Sequence, residues 1–113
     1  MISPEEFAKA LGLTVISGTR RQHGMRIRVA DMCRPGLQFA GYFDVFASER
    51  PQLIGKTEMA YLNSLSPEVR DPRLDRYFSY EMPCIVIARG MPCPPALLQQ
   101  AVRHGVPIYG TPY

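Results

Sequence analysis

The run Cys84-Ile85-Val86-Ile87-Ala88 constrains the fold more than any other stretch of the chain. Every position is apolar, so a strand built from it must be covered on both faces, as a central parallel strand is. Arg89-Gly90 closes the run. A helix is predicted next: Pro95 suits a first helical turn, and Leu97, Leu98, Ala101 and Val102 form one apolar stripe. Gly105 stands where a left-handed C-terminal cap is wanted, and Val106-Pro107-Ile108-Tyr109 reads as a further strand. Strand, helix and strand over residues 84–109 make a βαβ unit, which predicts parallel strands and a right-handed crossover. The class that follows is α/β, a small mixed sheet flanked by helices.

The preceding residues supply the other elements. Ser3, Pro4 and Glu6 are an N-cap, a first-turn proline and the third member of a capping box. Gly12 ends that helix, and Leu13–Ile16 is a short β-branched strand. Residues 17–24 are polar and loop-like. Met25 to Ala30 alternates, with Met25, Ile27 and Val29 on one face and Arg26 and Arg28 on the other, a half-buried strand. Asp31 to Gly36 is turn chemistry. Leu37 to Phe46 is ambiguous between strand and helix: Leu37, Phe39 and Gly41 fit a strand that ends early, and Phe43 and Phe46 then sit at helical spacing in a short turn. Tyr42, Phe43 and Phe46 are expected in the core. Gln52–Ile54 is a strand, and Thr57 caps a helix running to about Leu65 with Met59, Tyr61, Leu62 and Leu65 inward. Ser66-Pro67-Glu68 starts a helix and Asp71-Pro72 restarts it, giving a broken helical segment to Phe78. Leu74, Tyr77 and Phe78 face inward there, and Arg70, Arg73 and Arg76 face solvent.

At 113 residues the chain is sized for one domain, and 46% apolar residues are enough to build a core. The net charge of +3 falls short of the basic stripe of a nucleic-acid binder. Arg20, Arg21, Arg26 and Arg28 are the densest basic cluster, but no aromatics interleave them for base stacking. No apolar run approaches a membrane span, and the start carries no basic and apolar signal regions, so a cytoplasmic protein is expected. Cys33, Cys84 and Cys93 form no C-x-x-C pair and share no ligand spacing with His23 or His104, so no metal site is expected. Cys84 reads as buried filler. Cys33 sits in a polar turn, where Arg34 is expected to lower its pKa a little.

Gly55-Lys56-Thr57 spells the tail of a phosphate-binding P-loop, but the motif needs a glycine at position 50, where Arg50 stands. Pro51 offers no N–H, and Leu53-Ile54 reads as buried strand. The pairs Asp44 with Glu49 and Glu58 with Glu81 have no spacing that selects them as acid and base. One positional candidate remains. Arg34, Lys56 and Arg89 each lie beside a glycine at a predicted strand end: Gly36, Gly55 and Gly90. Strand ends of open α/β sheets are where ligands bind, so these residues with Thr57 are the expected site for a small anion. The alternative is that each cation pairs with a nearby carboxylate such as Asp31, Asp44 or Glu58.

Four blocks occur in order: Arg34-Pro35-Gly36-Leu37, Ala40-Gly41-Tyr42-Phe43, Gly55-Lys56-Thr57-Glu58 and Pro83-Cys84-Ile85. On these the chain resembles the N-terminal domain of the HPr kinase/phosphorylase family over nearly its whole length. The match departs at Met32-Cys33 and at Pro51. The resemblance implies a fold like the N-terminal domain of Mur ligases. It also implies that residues 1–113 are a single regulatory or assembly domain, inactive alone, with the P-loop kinase domain absent from this chain. That missing domain would use ATP, or pyrophosphate in some members, with Mg2+. It would phosphorylate a serine of the phosphocarrier protein HPr, remove the phosphate by phosphorolysis, and build a homo-hexamer. The implied role is control of carbon catabolite repression in bacteria. No catalytic residue is carried over. A stand-alone small-ligand sensor of the same fold is the alternative, and a nucleic-acid module through the basic cluster a third reading.

Overall fold

A computed structural model describes residues 2–18, 27 and 31–113. Among these the chain forms a four-stranded mixed sheet and five helices. The elements in order are α1 (Pro4–Leu11), β1 (Thr14–Ser17), α2 (Gly36–Phe39), β2 (Gln52–Ile54), α3 (Lys56–Ser64), α4 (Pro67–Phe78), β3 (Ile85–Ile87), α5 (Pro95–His104) and β4 (Ile108–Gly110). The sheet order is β1-β4-β3-β2. β2 pairs with β3 and β3 with β4 in parallel, while β1 runs antiparallel to β4 along one edge.

β3 is central, and its side chains divide between two cores. Ile85 and Ile87 join Phe39, Ile54, Leu62, Leu74, Tyr77, Leu97 and Ile108 on the face covered by α2 to α5. Cys84 and Val86 join Phe7, Ala8, Ile27 and Tyr109 on the other face, under α1. The period-two alternation of a strand thus sends one apolar run into both layers. Burial pushes the Cys84 thiol up to about 12, so it packs as an apolar group.

Local chemistry places the helices. The Ser3 hydroxyl accepts from the Glu6 N–H at 3.1 Å and the Glu6 carboxylate accepts from the Ser3 N–H at 3.0 Å. Gly12 and Gly105 end α1 and α5 in the left-handed conformation, at φ 65° and 75°. Ile27 exchanges backbone hydrogen bonds with Ile2. The rest of the predicted strand at Met25 to Ala30, with Arg20, Arg21, His23, Arg26 and Arg28, lies outside the described residues.

The structure corrects several expectations. Residues 36–39, ambiguous between strand and helix in the sequence, are a helix: the Phe39 N–H donates to the Pro35 carbonyl at 3.0 Å and the Ala40 N–H to the Gly36 carbonyl at 3.1 Å. Phe39 packs edge-on against Tyr77 with ring centres 5.2 Å apart, a contact that outweighs the low helix propensity of this stretch. Gly55 rather than Thr57 is the N-cap of α3, and Thr57 is exposed within the first turn. The segment from Pro67 is one continuous helix through Pro72, which gives up only its own N–H bond at that turn. Tyr42, Tyr61 and Val102 are exposed rather than inward, whereas Phe43 is buried. Arg70 and Arg73 are half-buried: Arg73 donates to the Phe39 carbonyl at 3.1 Å and to the Tyr61 hydroxyl at 3.2 Å, tying α4 to α2 and α3. Among the described residues no helix is long and apolar enough to cross a membrane.

Candidate functional site

The parallel pair β2 and β3 ends in register, with Ile54 opposite Ile87. The residues that follow, Gly55-Lys56-Thr57 and Ala88-Arg89, therefore emerge side by side at the C-terminal edge of the sheet. Arg34 reaches the same edge through backbone pairing. The Cys33 N–H donates to the Pro51 carbonyl at 2.9 Å, and the Leu53 N–H donates to the Cys33 carbonyl at 2.8 Å. The last residues close the fourth side: the Arg89 N–H donates to the Tyr113 carbonyl at 2.9 Å and the Gly90 N–H to the Thr111 carbonyl at 2.8 Å.

These segments enclose an open cleft of roughly 840 Å³. Arg34, Lys56 and Arg89, far apart in sequence, all line it, together with Gly55 and Thr57. Leu53, Ala88, Pro112 and Tyr113 add an apolar wall that the sequence reading did not pick out. The signal was available for two of them, since Leu53 precedes one predicted strand end and Ala88 is the other. Gly36 and Gly90 are not among the lining residues. Gly36 lies against Glu58, where an added Cβ would sit 3.9 Å from its Cγ, and Gly90 holds a left-handed turn at φ 61°.

The three cations differ in what they touch. Arg34 donates to Glu58 Oε1 at 2.8 Å, and the Gly55 N–H donates to the same oxygen at 2.8 Å. For Arg34 the carboxylate alternative therefore holds. Glu58 is 7% exposed. Burial pushes its carboxyl up, but the Arg34 guanidinium and the Gly55 N–H together outweigh that and hold it below its ordinary value. Glu58 is thus a buried cap and ion-pair partner rather than half of an acid–base pair with exposed Glu81. Its position three residues after the Gly55 cap was the sequence signal. Lys56 and Arg89 are exposed, and neither has an ion-pair partner among the described residues. Arg89 is the one non-glycine residue with positive φ, at 59°, among those described. Side chains seldom adopt that conformation except where surrounding bonds impose it.

Gly55-Lys56-Thr57 does not form a phosphate cradle. Residues 52–54 before it are strand β2, and the Gly55 N–H is taken by Glu58. A P-loop needs that backbone free and wrapped around the phosphates. These residues do not fit an ATP–Mg2+ site. Calorimetric titration of the chain with Mg-ATP is accordingly expected to give no micromolar binding. Micromolar binding abolished by Lys56→Ala would contradict this.

Residues 2–113 match the family model described as HPr Serine kinase N terminus. The chain belongs to that family. The relatives it resembles are longer proteins. It is 44% identical over 90 residues to the HPr kinase/phosphorylase of Clostridium acetobutylicum, covering 80% of this chain and 29% of that protein. It is 41% identical over 103 residues to the HPr kinase/phosphorylase of Alkaliphilus metalliredigens, covering 91% and 33%. With the HPr kinase/phosphorylase of Clostridium perfringens the identity is 39% over 105 residues, covering 93% and 34%. The chain thus spans about a third of the length of the curated relatives it matches.

The cysteines of this HPr kinase N-terminal domain carry no visible reactive site. Cys33 is half-buried, and burial pushes its thiol up despite the opposing Gln52 hydrogen bond and the Arg50 charge. The lowering by Arg34 expected from sequence is not found. His104 sits in the last turn of α5, with Nε2 3.0 Å from Asp75 Oδ1 of α4.

Proposed function

We propose that this chain is the non-catalytic regulatory or assembly domain of a bifunctional HPr serine kinase/phosphorylase. The observation that carries the reading is the family match over residues 2–113, together with relatives named HPr kinase/phosphorylase. In this reading the other two thirds of such a protein hold the true P-loop. That part transfers the γ-phosphoryl group of ATP, with Mg2+, to a serine hydroxyl of HPr, reverses the step by phosphorolysis, and assembles the hexamer. The protein would work in the bacterial cytoplasm, in carbon catabolite repression. The present residues contribute no atom to that chemistry.

The finer fold reading belongs here too. A right-handed crossover through α5 is supported by the parallel neighbours β3 and β4 and by the strong general bias of such connections. A likeness to Mur ligase N-terminal domains rests on the family resemblance. Crystallographic coordinates with a left-handed crossover would contradict the first. The functional reading is tested by the reading frame beyond the Tyr113 codon. It is expected to run on into G-x-x-x-x-G-K-[ST]. A stop codon there would instead favour a stand-alone sensor of the same fold, a role to which the open cleft is suited.

A further inference from the structure

We propose that the cleft at the C-terminal ends of β2 and β3 binds a small phosphorylated molecule whose remaining part is apolar or ring-shaped. The inference does not depend on the kinase reading. It starts from charge. Arg34, Lys56 and Arg89 come from three separate segments and converge on one cleft, and no acidic side chain lines it. The nearest carboxylate partner, Glu58, is buried beneath Gly55 and already engaged by Arg34 and the Gly55 N–H. Lys56 and Arg89 therefore line the cleft without an ion-pair partner among the described residues.

Geometry strengthens the case. The side chain of Arg34 remains 56% exposed while one nitrogen holds Glu58, so other N–H groups of its fork stay open. Arg89 is carried on a left-handed backbone fixed at its own N–H and at that of Gly90 by the 111–113 segment. Two cations without ion-pair partners, Lys56 and Arg89, beside the open N–H groups of Arg34 match a dianion better than a monoanion, and arginine forks suit phosphate oxygens. The rest of the lining is of another kind. Leu53, Ala88, Pro112 and the Tyr113 ring, 91% exposed, offer apolar area against which a ring can stack. A bare inorganic anion leaves that wall unused.

The test is an NMR titration of the chain, in buffer free of phosphate, with phenyl phosphate, inorganic phosphate and benzoate as probes. Phenyl phosphate is expected to shift the amides of Gly55, Lys56, Thr57 and Arg89 together, saturably, with a Kd on the order of millimolar, as suits an open site. Inorganic phosphate should bind the same amides more weakly, and benzoate least. Lys56→Ala and Arg89→Ala, both at exposed positions, should each weaken phenyl phosphate about tenfold, the scale of one charge-assisted hydrogen bond. Their remaining amide spectra should be unchanged. Absence of saturable shifts, shifts unaffected by both substitutions, or benzoate binding as tightly as phenyl phosphate would each overturn the site. Equal affinity for inorganic and phenyl phosphate would overturn the apolar half of the proposal.

Discussion

Tyr77→Ala is expected to destabilise the domain by about 3–5 kcal/mol, the usual range for removing a large buried aromatic. Tyr77 is fully buried between α4 and the sheet, with Phe39, Phe46 and Phe78 against its ring at centroid distances of 5.0 to 5.4 Å. Its hydroxyl donates to Gln52 Oε1 at 2.9 Å. Gln52, also fully buried, spends its amide on the Arg50 and Ala47 carbonyls at 2.8 and 3.1 Å. The pair therefore fixes the loop that enters β2 as well as the helix above it. A domain of this size has a total stability of about 5–15 kcal/mol, so the alanine variant is at the edge of folding. Tyr77→Phe keeps the ring and strands only the Gln52 oxygen, and should cost about 1–2 kcal/mol. Urea denaturation followed by circular dichroism measures both. An alanine variant within 1 kcal/mol of the parent, or a phenylalanine variant equal to the alanine one, would contradict this account of the core.

Glu58→Ala is expected to cost about 2–3 kcal/mol, since it strands the buried Gly55 N–H and releases Arg34. The effect carries a pH signature. The folded state holds the Glu58 carboxyl below its ordinary value of 4.5. A depressed carboxylate stabilises the fold fully above the unfolded value, and that contribution is lost as pH falls through the folded value. The parent should therefore lose stability in the acid range below 4.5, and Glu58→Gln, whose amide oxygen still accepts from Gly55, should lose less of it there. Urea midpoints measured across that range decide the matter. Parallel pH profiles for the two proteins would show that Glu58 does not carry the acid sensitivity.

Much of this was legible because the sequence states it locally. The Ser3–Glu6 box, Gly12 and Gly105 mark helix ends by chemistry that acts within four residues. Cys84 to Ala88 announces a strand covered on both faces. The candidate site was legible in part for the same reason: Lys56 and Arg89 follow strands that could be read, and in-register parallel pairing brings their ends together. What the sequence hid depends on distant contacts. Residues 36–39 could be read as strand or helix, and the choice goes with a contact between Phe39 and Tyr77, about forty positions away. Glu58 looked like a surface carboxylate until Arg34 was delivered beside it by the pairing of Cys33 with β2. Tyr113 is held at the cleft by its carbonyl bond to the Arg89 N–H, a distant contact that no local pattern encodes.

The central claim is that these residues form the non-catalytic N-terminal part of an HPr kinase/phosphorylase. Its most direct test is phosphate transfer from ATP, with Mg2+, to a serine of HPr, assayed with residues 1–113 and with the product of the complete reading frame. The account predicts no transfer by residues 1–113 and transfer by the complete product. Transfer by residues 1–113 alone, or none by the complete product, would contradict it.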